Sequence, residues 1–181
     1  MSATVDANIL VYASNQSDPV YPQAIQLVTR LAAGPDLLYL FWPVVLGYLR
    51  IVTHSAILPK PLSARDAAAN AEALLQRPHV RTPGETEGFW ELFRQTSRDQ
   101  ARGNDVPDAH LIALMRQHGV RRIYSRDIGL RRYADVDVVD PFAPPGRVRR
   151  SRRSGTGSGF VETVRTIAAR RGLSKPTNIV I

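Results

Sequence analysis

The sequence contains no cysteine among its 181 residues. That excludes a disulfide framework, thiolate zinc sites, iron–sulfur clusters and a cysteine nucleophile, while leaving the redox compartment open. Long apolar runs are missing as well. The longest, Leu37 to Leu46, falls far short of the ~20 residues a membrane helix requires and is interrupted by Pro43. The opening residues Met1-Ser2-Ala3-Thr4-Val5-Asp6 carry neither the basic nor the apolar segment of a secretion signal, so a cytoplasmic protein with no membrane partner is expected. His54, His79, His110 and His118 show no HxH or HxxxH spacing, which disfavours a zinc hydrolase. No internal repeat is evident.

Acidic residues are nearly absent from the C-terminal end. The whole chain has a net charge of +8, yet residues 1–146 carry 15 basic and 15 acidic side chains, whereas residues 147–181 carry nine basic groups and one acid, Glu162. The excess charge therefore belongs to the tail, and the high isoelectric point is no argument that the main domain binds nucleic acid. Composition shifts at the same place. Beyond Pro144-Pro145 the chain turns to arginine, serine and glycine, including Ser154-Gly155-Thr156-Gly157-Ser158-Gly159. One domain over residues 1–145 and a basic, Gly/Ser-rich tail over 146–181 are expected. Helical spacing returns from Phe160 to Arg171, and this appendage reads either as a fusion remnant or as a short helix that docks on a partner or on the domain.

Within the domain, apolar periodicity alternates between two kinds. Ala3-Thr4-Val5 reads as a strand ending at Asp6 and followed by a short helix over Ala7 to Ser14. A helix from Pro22 stops at Gly34-Pro35. Leu37 to Phe41 suits a strand or the start of a helix, and Pro43 to Thr53 suits a mostly buried helix weakened by Gly47. Ser63 and Asp66 form a capping-box pattern opening a helix from Ala64 to Gln76, and a further helix is expected from Glu85 to Ala101. A loop over Gly103 to Asp108 leads into a helix ending at Gly119, and strands follow at Arg122 to Ser125 and Val136 to Val139. Strands alternating with helices of 10 to 15 residues argue for an α/β fold with a mostly parallel sheet.

Open parallel sheets bind ligands at the carboxyl ends of their strands, which draws attention to acids just beyond strands or at helix starts. Asp6, Asp108 and Asp127 qualify. Each also has a plain reading as a helix cap, which is worth ~1 kcal/mol. As a set they suggest more, because carboxylates ~4 Å apart repel by about 4 kcal/mol at an effective dielectric near 20 unless a cation lies between them. Oxygen-only ligands suit Mg²⁺ or Mn²⁺, and such ions serve phosphodiester hydrolysis by orienting a water and offsetting charge on the phosphate. Ser125 lacks the GxSxG context of a nucleophile and suits a supporting hydrogen bond. Arg50 and Arg126 are candidates for holding a substrate phosphate, or for pairing with a carboxylate.

Four segments in order carry a resemblance to a known family. They are Val5-Asp6-Ala7-Asn8-Ile9-Leu10-Val11-Tyr12-Ala13, Tyr48-Leu49-Arg50-Ile51-Val52-Thr53-His54, Gly103-Asn104-Asp105-Val106-Pro107-Asp108-Ala109-His110-Leu111 and Tyr124-Ser125-Arg126-Asp127. Over about residues 3–142 the chain resembles the PIN domain family, in particular the VapC toxins of bacterial toxin–antitoxin pairs. The resemblance implies a three-layer α/β/α domain, a Mg²⁺- or Mn²⁺-dependent endoribonuclease, a homodimer, and neutralisation by a cognate VapB-like antitoxin. By position it implies that Asp6, Asp108 and Asp127 are the acidic metal-site residues, with Asn8 and Ser125 supporting them. Two departures stand out. The family carries a glutamate two residues before, or immediately before, the run matching Tyr48-Leu49-Arg50, where this chain has Gly47, and Asp127-Ile128-Gly129-Leu130 replaces an Asp-x-Asp-Phe pattern. The loss of one carboxylate predicts weakened metal binding. An engineered replacement, a degenerate copy and a site completed by Asp105 all fit, and the alternative function is an inactive module that binds antitoxin or RNA without cleavage.

Overall fold

The computed structural model describes residues 2–98, 101–103 and 105–143. The basic tail, with the helix expected from Phe160 to Arg171, lies outside the described residues.

Five strands form one sheet: β1 (Ser2–Val5), β2 (Leu37–Tyr39), β3 (Val80–Arg81), β4 (Arg122–Tyr124) and β5 (Asp137–Val139), in the spatial order β3-β2-β1-β4-β5 with every neighbouring pair parallel. The helices are α1 (Ala7–Ser14), α2 (Tyr21–Ala33), α3 (Trp42–Val52), α4 (Ala64–Leu75), α5 (Phe89–Ser97) and α6 (Asp105–Gln117), and a 3-10 turn spans Ile128–Arg132. The chain runs outward from β1 to β3 and then returns to the other side of β1. Right-handed crossovers therefore set α1–α4 on one face of the sheet and α5 and α6 on the other, a three-layer α/β/α domain. Helix α1 packs against α2 and α3, α3 against α4, and α5 against α6, while α3 also meets α6. No helix among the described residues is long and apolar enough to cross a membrane.

The core is aliphatic and dense around α1, all eight of whose residues are buried. Such a helix has no solvent face, which explains why its run of Ile9, Leu10, Val11, Tyr12 and Ala13 shows little polar alternation. Buried polar groups are satisfied in pairs: the Tyr48 hydroxyl meets Ser14 Oγ at 3.0 Å and accepts from Asn70 Nδ2 at 3.2 Å, linking α1, α3 and α4.

Most expected elements are present, with one open alternative resolved and three differences. Leu37–Tyr39 is a strand, drawn into the sheet by its register against β1. The two-residue β3 is unpredicted, since Val80–Arg81 between Pro78 and Pro83 is too short to show a period. Helix α5 is shorter than the expected Glu85 to Ala101: Gly88 takes φ +76° at its start and Arg98 φ 51° at its end, both left-handed and incompatible with continuing the helix. Helix α6 begins at Asp105, inside the expected loop. Pro107 is tolerated there because first-turn amides have no partner within the helix. Elsewhere the expected stops hold. The capping box is formed, with Asp66 N donating to Ser63 Oγ at 3.0 Å and Ser63 Oγ donating to Asp66 Oδ2 at 2.8 Å.

Candidate active site

Because all five strands are parallel, their carboxyl ends share one edge of the sheet. The direction of strand addition reverses between β1 and β4, the switch point at which open α/β sheets leave a crevice. Asp6 directly follows β1, and Ser125 directly follows β4. The ladder continues one step past both ends, with Asp6 N donating to Tyr124 O at 2.9 Å and Ser125 N to Val139 O at 3.0 Å. That continuation fixes the two side chains beside one another.

Ser125 is buried and ties two of the acids together: its Oγ donates to Asp6 Oδ2 at 2.8 Å and accepts from the Asp127 backbone N at 2.9 Å. Asn8 holds Asp6 from the other side, its Nδ2 donating to Asp6 Oδ2 at 3.2 Å and its backbone N to Oδ1 at 3.4 Å. Asp6 thus caps α1, while Asp127 Oδ1 caps the 3-10 turn by accepting from Gly129 N at 2.7 Å. The plain reading of these two as caps is correct as far as it goes. Asp108 differs. It stands inside the first turn of α6 rather than at its cap, and its contact is with Arg132 Nη2 at 3.5 Å.

Electrostatics joins the three. Burial pushes the Asp6 carboxyl above its ordinary range, with a further rise from Asp127 and opposition from Ser125 and Asn8. Asp108 is pushed up to about 7, first by burial and then by the negative charges of Asp127 and Asp6, with Arg132 opposing. Three aspartates from distant segments therefore feel one another's charge. Asp105, one turn before Asp108, adds to that field and accepts from Arg132 Nη1 at 2.7 Å.

Among the described residues, no three His, Cys, Asp or Glu side chains stand close enough to enclose a metal ion by themselves. Donor chemistry nevertheless fits a hard cation. Mg²⁺ binds through one or two carboxylates and keeps several waters, so it needs no closed protein cage. Asn8 Oδ1 is a buried acceptor with no hydrogen-bond partner, beside Asp6, and an unsatisfied oxygen of this kind suits a cation's hydration shell. The histidines are engaged elsewhere: His54 Nδ1 accepts from Ala56 N, while the ring nitrogens of His79, His110 and His118 meet Leu31 O, Glu85 Oε1 and Gly84 O.

The remaining expected residues fall around this group. Gly47 lies on α3 facing the start of α1, where an added Cβ would sit 3.4 Å from the Cβ of Ala7, ordinary contact next to Asp6. Nothing steric demands glycine there. Arg126 extends over the rings of Tyr12 and Phe142, at 5.8 and 5.9 Å, and Arg50 is exposed in the last turn of α3. Arg132 is the residue that sequence reasoning missed. It lies 24 to 27 residues from its acidic partners, and no motif marks one arginine of the Arg131-Arg132 pair.

The PIN domain family matches residues 3–136. "Ribonuclease VapC48" of Mycobacterium tuberculosis is 47% identical over 144 residues, covering 79% of this chain and 99% of that protein. The chain belongs to the PIN domain family, in its VapC branch. Solved structures share the fold. The Mycobacterium tuberculosis VapC20 structure, described as a sarcin-ricin loop cleaving toxin, superposes with a TM-score of 0.55 at 20% identity, covering 72% of this chain and 93% of that one. VapBC2 of Rickettsia felis, bound to a DNA fragment from its promoter, gives 0.50 at 16% identity, covering 77% and 98%.

Proposed function

We propose that this VapC-branch PIN domain is an Mg²⁺- or Mn²⁺-dependent endoribonuclease toxin, hydrolysing RNA phosphodiester bonds in the cytoplasm, acting as a homodimer and neutralised by a VapB-like antitoxin. One arrangement carries the catalytic part of this reading: at the switch point Ser125 Oγ ties the Asp6 carboxylate to the Asp127 backbone, residues 121 apart in the chain, and the charges of both raise Asp108. Such a concentration of negative charge at a switch point is costly unless a cation offsets it. The 47%-identical relative's name, a ribonuclease, supports RNA as substrate, and the VapBC assembly with the same fold supports an antitoxin partner.

Asp6, Asp108 and Asp127 would hold the ion, one or two of them directly and the rest through its bound waters. When bound, a divalent cation supplies orientation of the attacking water and compensation for charge developing on the scissile phosphate. Ser125 fixes Asp6 relative to the Asp127 backbone, and Asn8 fixes the second side of Asp6, so the carboxylates enter the reaction already oriented. Residues 146–181 are read as an appendage to this domain. Cleavage of single-stranded RNA by the full chain should require Mg²⁺ or Mn²⁺, cease with EDTA, and fall at least about 100-fold in Asp6→Ala and Asp108→Ala, beyond the 10- to 100-fold cost of losing a group that only supports a ligand. Metal-independent cleavage, or full activity in both variants, would contradict the assignment.

Gly47 favours a second reading, a module that binds antitoxin or RNA without cutting. The absent carboxylate would belong beside Ala7, next to Asp6. Under that reading wild-type protein binds RNA but leaves it intact with every divalent ion tried.

A further inference from the structure

An anionic substrate approaching three clustered aspartates meets repulsion, and a divalent ion alone leaves the second non-bridging oxygen of a phosphodiester without a protein partner. Arginine is the side chain best shaped to supply one, through its planar fork of donors. The arginines expected for this task lie on other surroundings, Arg126 over Tyr12 and Phe142 and Arg50 at the exposed end of α3. Arg116 and Arg122 are engaged by Asp135 and Asp137 at 2.7 and 2.8 Å. Arg132 contacts the aspartate group itself.

We propose that Arg132 is the guanidinium that receives RNA phosphate at this site, and that in the metal-free protein it serves as resident counterion to Asp105 and Asp108. This rests on the nuclease reading above. Two short elements face one another here. The first turn of α6 presents Asp105 and Asp108, which are neighbours at i and i+3, and the 3-10 turn is capped by Asp127 and ends at Arg132. Arg132 is anchored firmly on one side, with Nη1 donating to Asp105 Oδ1 at 2.7 Å, Nη2 donating to the Tyr133 hydroxyl at 3.2 Å, and the guanidinium carbon 5.0 Å from the centre of the Tyr133 ring. Toward Asp108 it is loose. The 3.5 Å separation exceeds the usual length of a charge-assisted hydrogen bond, so this contact is surrendered at the least cost. The side chain keeps 36% of its surface exposed, enough for a ligand to reach the head group while Asp105 and Tyr133 hold it in place.

One consequence separates this role from a structural one. Arg132 and a divalent cation both draw on Asp108, so they compete in the absence of RNA and cooperate in its presence. Removing the guanidinium therefore has opposite effects on the two ligands. A side chain that merely pins the 3-10 turn to α6 would, when removed, weaken both.

The test uses the full chain, with Mn²⁺ binding followed by electron paramagnetic resonance and RNA binding by fluorescence anisotropy of a labelled single-stranded RNA of mixed sequence in Ca²⁺ buffer. Arg132→Ala should bind Mn²⁺ about threefold or more tightly in the absence of RNA and bind RNA about tenfold more weakly, the scale of one lost hydrogen bond to a charged group. The slope of log affinity against log salt should fall by about one. Arg132→Lys should recover the salt slope but only part of the affinity, and Arg132→Gln substitutes for the alanine variant if that fails to fold. Arg122→Ala, which breaks the ion pair with Asp137 at the amino-terminal ends of β4 and β5, should alter neither binding constant. Weaker Mn²⁺ binding in Arg132→Ala, or unchanged RNA affinity and salt slope, overturns the proposal while leaving the nuclease reading intact. Wild-type protein that binds no RNA in any divalent ion overturns both.

Discussion

Where β2 ends, the chain turns into aromatic packing; where β1 and β4 end, it turns into carboxylates. Beyond β2 come Leu40 and Phe41, both fully buried, and Phe41 lies 5.8 Å from both the Tyr39 and His118 rings. Beyond β1 and β4 come Asp6, Ser125 and Asp127, half-buried or buried, the two aspartates repelling one another and Ser125 bridging them. The backbone is the same parallel ladder in both halves. The difference teaches that the sheet supplies an edge and a crevice, while the first residues after each strand decide whether that edge is spent on stability or on chemistry. Beyond β2 the edge is closed by apolar packing, and between β1 and β4 it is left with acids partly taken out of water.

Substitutions on the two sides should accordingly act on different observables. The largest effect is expected from Phe41→Ala, which empties a fully buried ring position and should lower unfolding stability by about 3–5 kcal/mol in denaturant titration while leaving the metal dependence of cleavage unchanged. Next is pH. The Asp108 carboxyl titrates near 7 in the folded protein and near 3.8 when unfolded, so between those values the folded state holds a proton that the unfolded state has lost. Stability of the metal-free protein should therefore fall as pH rises from about 4 to about 7 and level off above, by at most about 4 kcal/mol for three units at 1.36 kcal/mol each. Asp108→Asn should flatten that slope, and Mg²⁺ should oppose it. A slope unaltered by Asp108→Asn would place the titrating group elsewhere.

Smaller and more specific is Gly47→Glu. The added Cβ meets only ordinary contact with Ala7, and leaving glycine gains roughly 0.5 kcal/mol of helix propensity, so the fold should hold. Mn²⁺-dependent cleavage should rise about tenfold, the scale on which groups around a metal alter affinity, and Asp6→Ala should then abolish it. No gain would mean that Gly47 is not a missing member of the site. The smallest effect is expected from truncation after residue 146. Cleavage and melting temperature should both remain unchanged, because the net-neutral domain contains every group invoked here.

Much of this arrangement is readable from the sequence because its signals are local. A strand ending in Asp6, a buried helix after it and a second strand delivering Ser125 and Asp127 are all set by neighbouring residues. The start of α6 was misjudged because Asp105-Val106-Pro107 looks like a turn in isolation, and the tolerance of a first turn for proline becomes visible only when a helix is already there. Strand β3 escaped notice because two residues have no period. Arg132 escaped because its meaning arises from pairing across 24 to 27 residues, which no spacing rule records. Gly47 shows the converse. Its departure from the family pattern is plain in the sequence, but only the structure shows that it faces Ala7 and that an added Cβ would meet ordinary contact there.

The most direct test of a single charge-coupled aspartate site is a carboxyl ¹³C NMR titration of the full chain, with and without Mg²⁺ and in Asp127→Asn. Asp108 should titrate near 7 in the metal-free protein, and its midpoint should drop both when Mg²⁺ is added and when the Asp127 charge is removed. A midpoint that stays in the ordinary aspartate range, or one that ignores both Mg²⁺ and the loss of Asp127, would contradict the account.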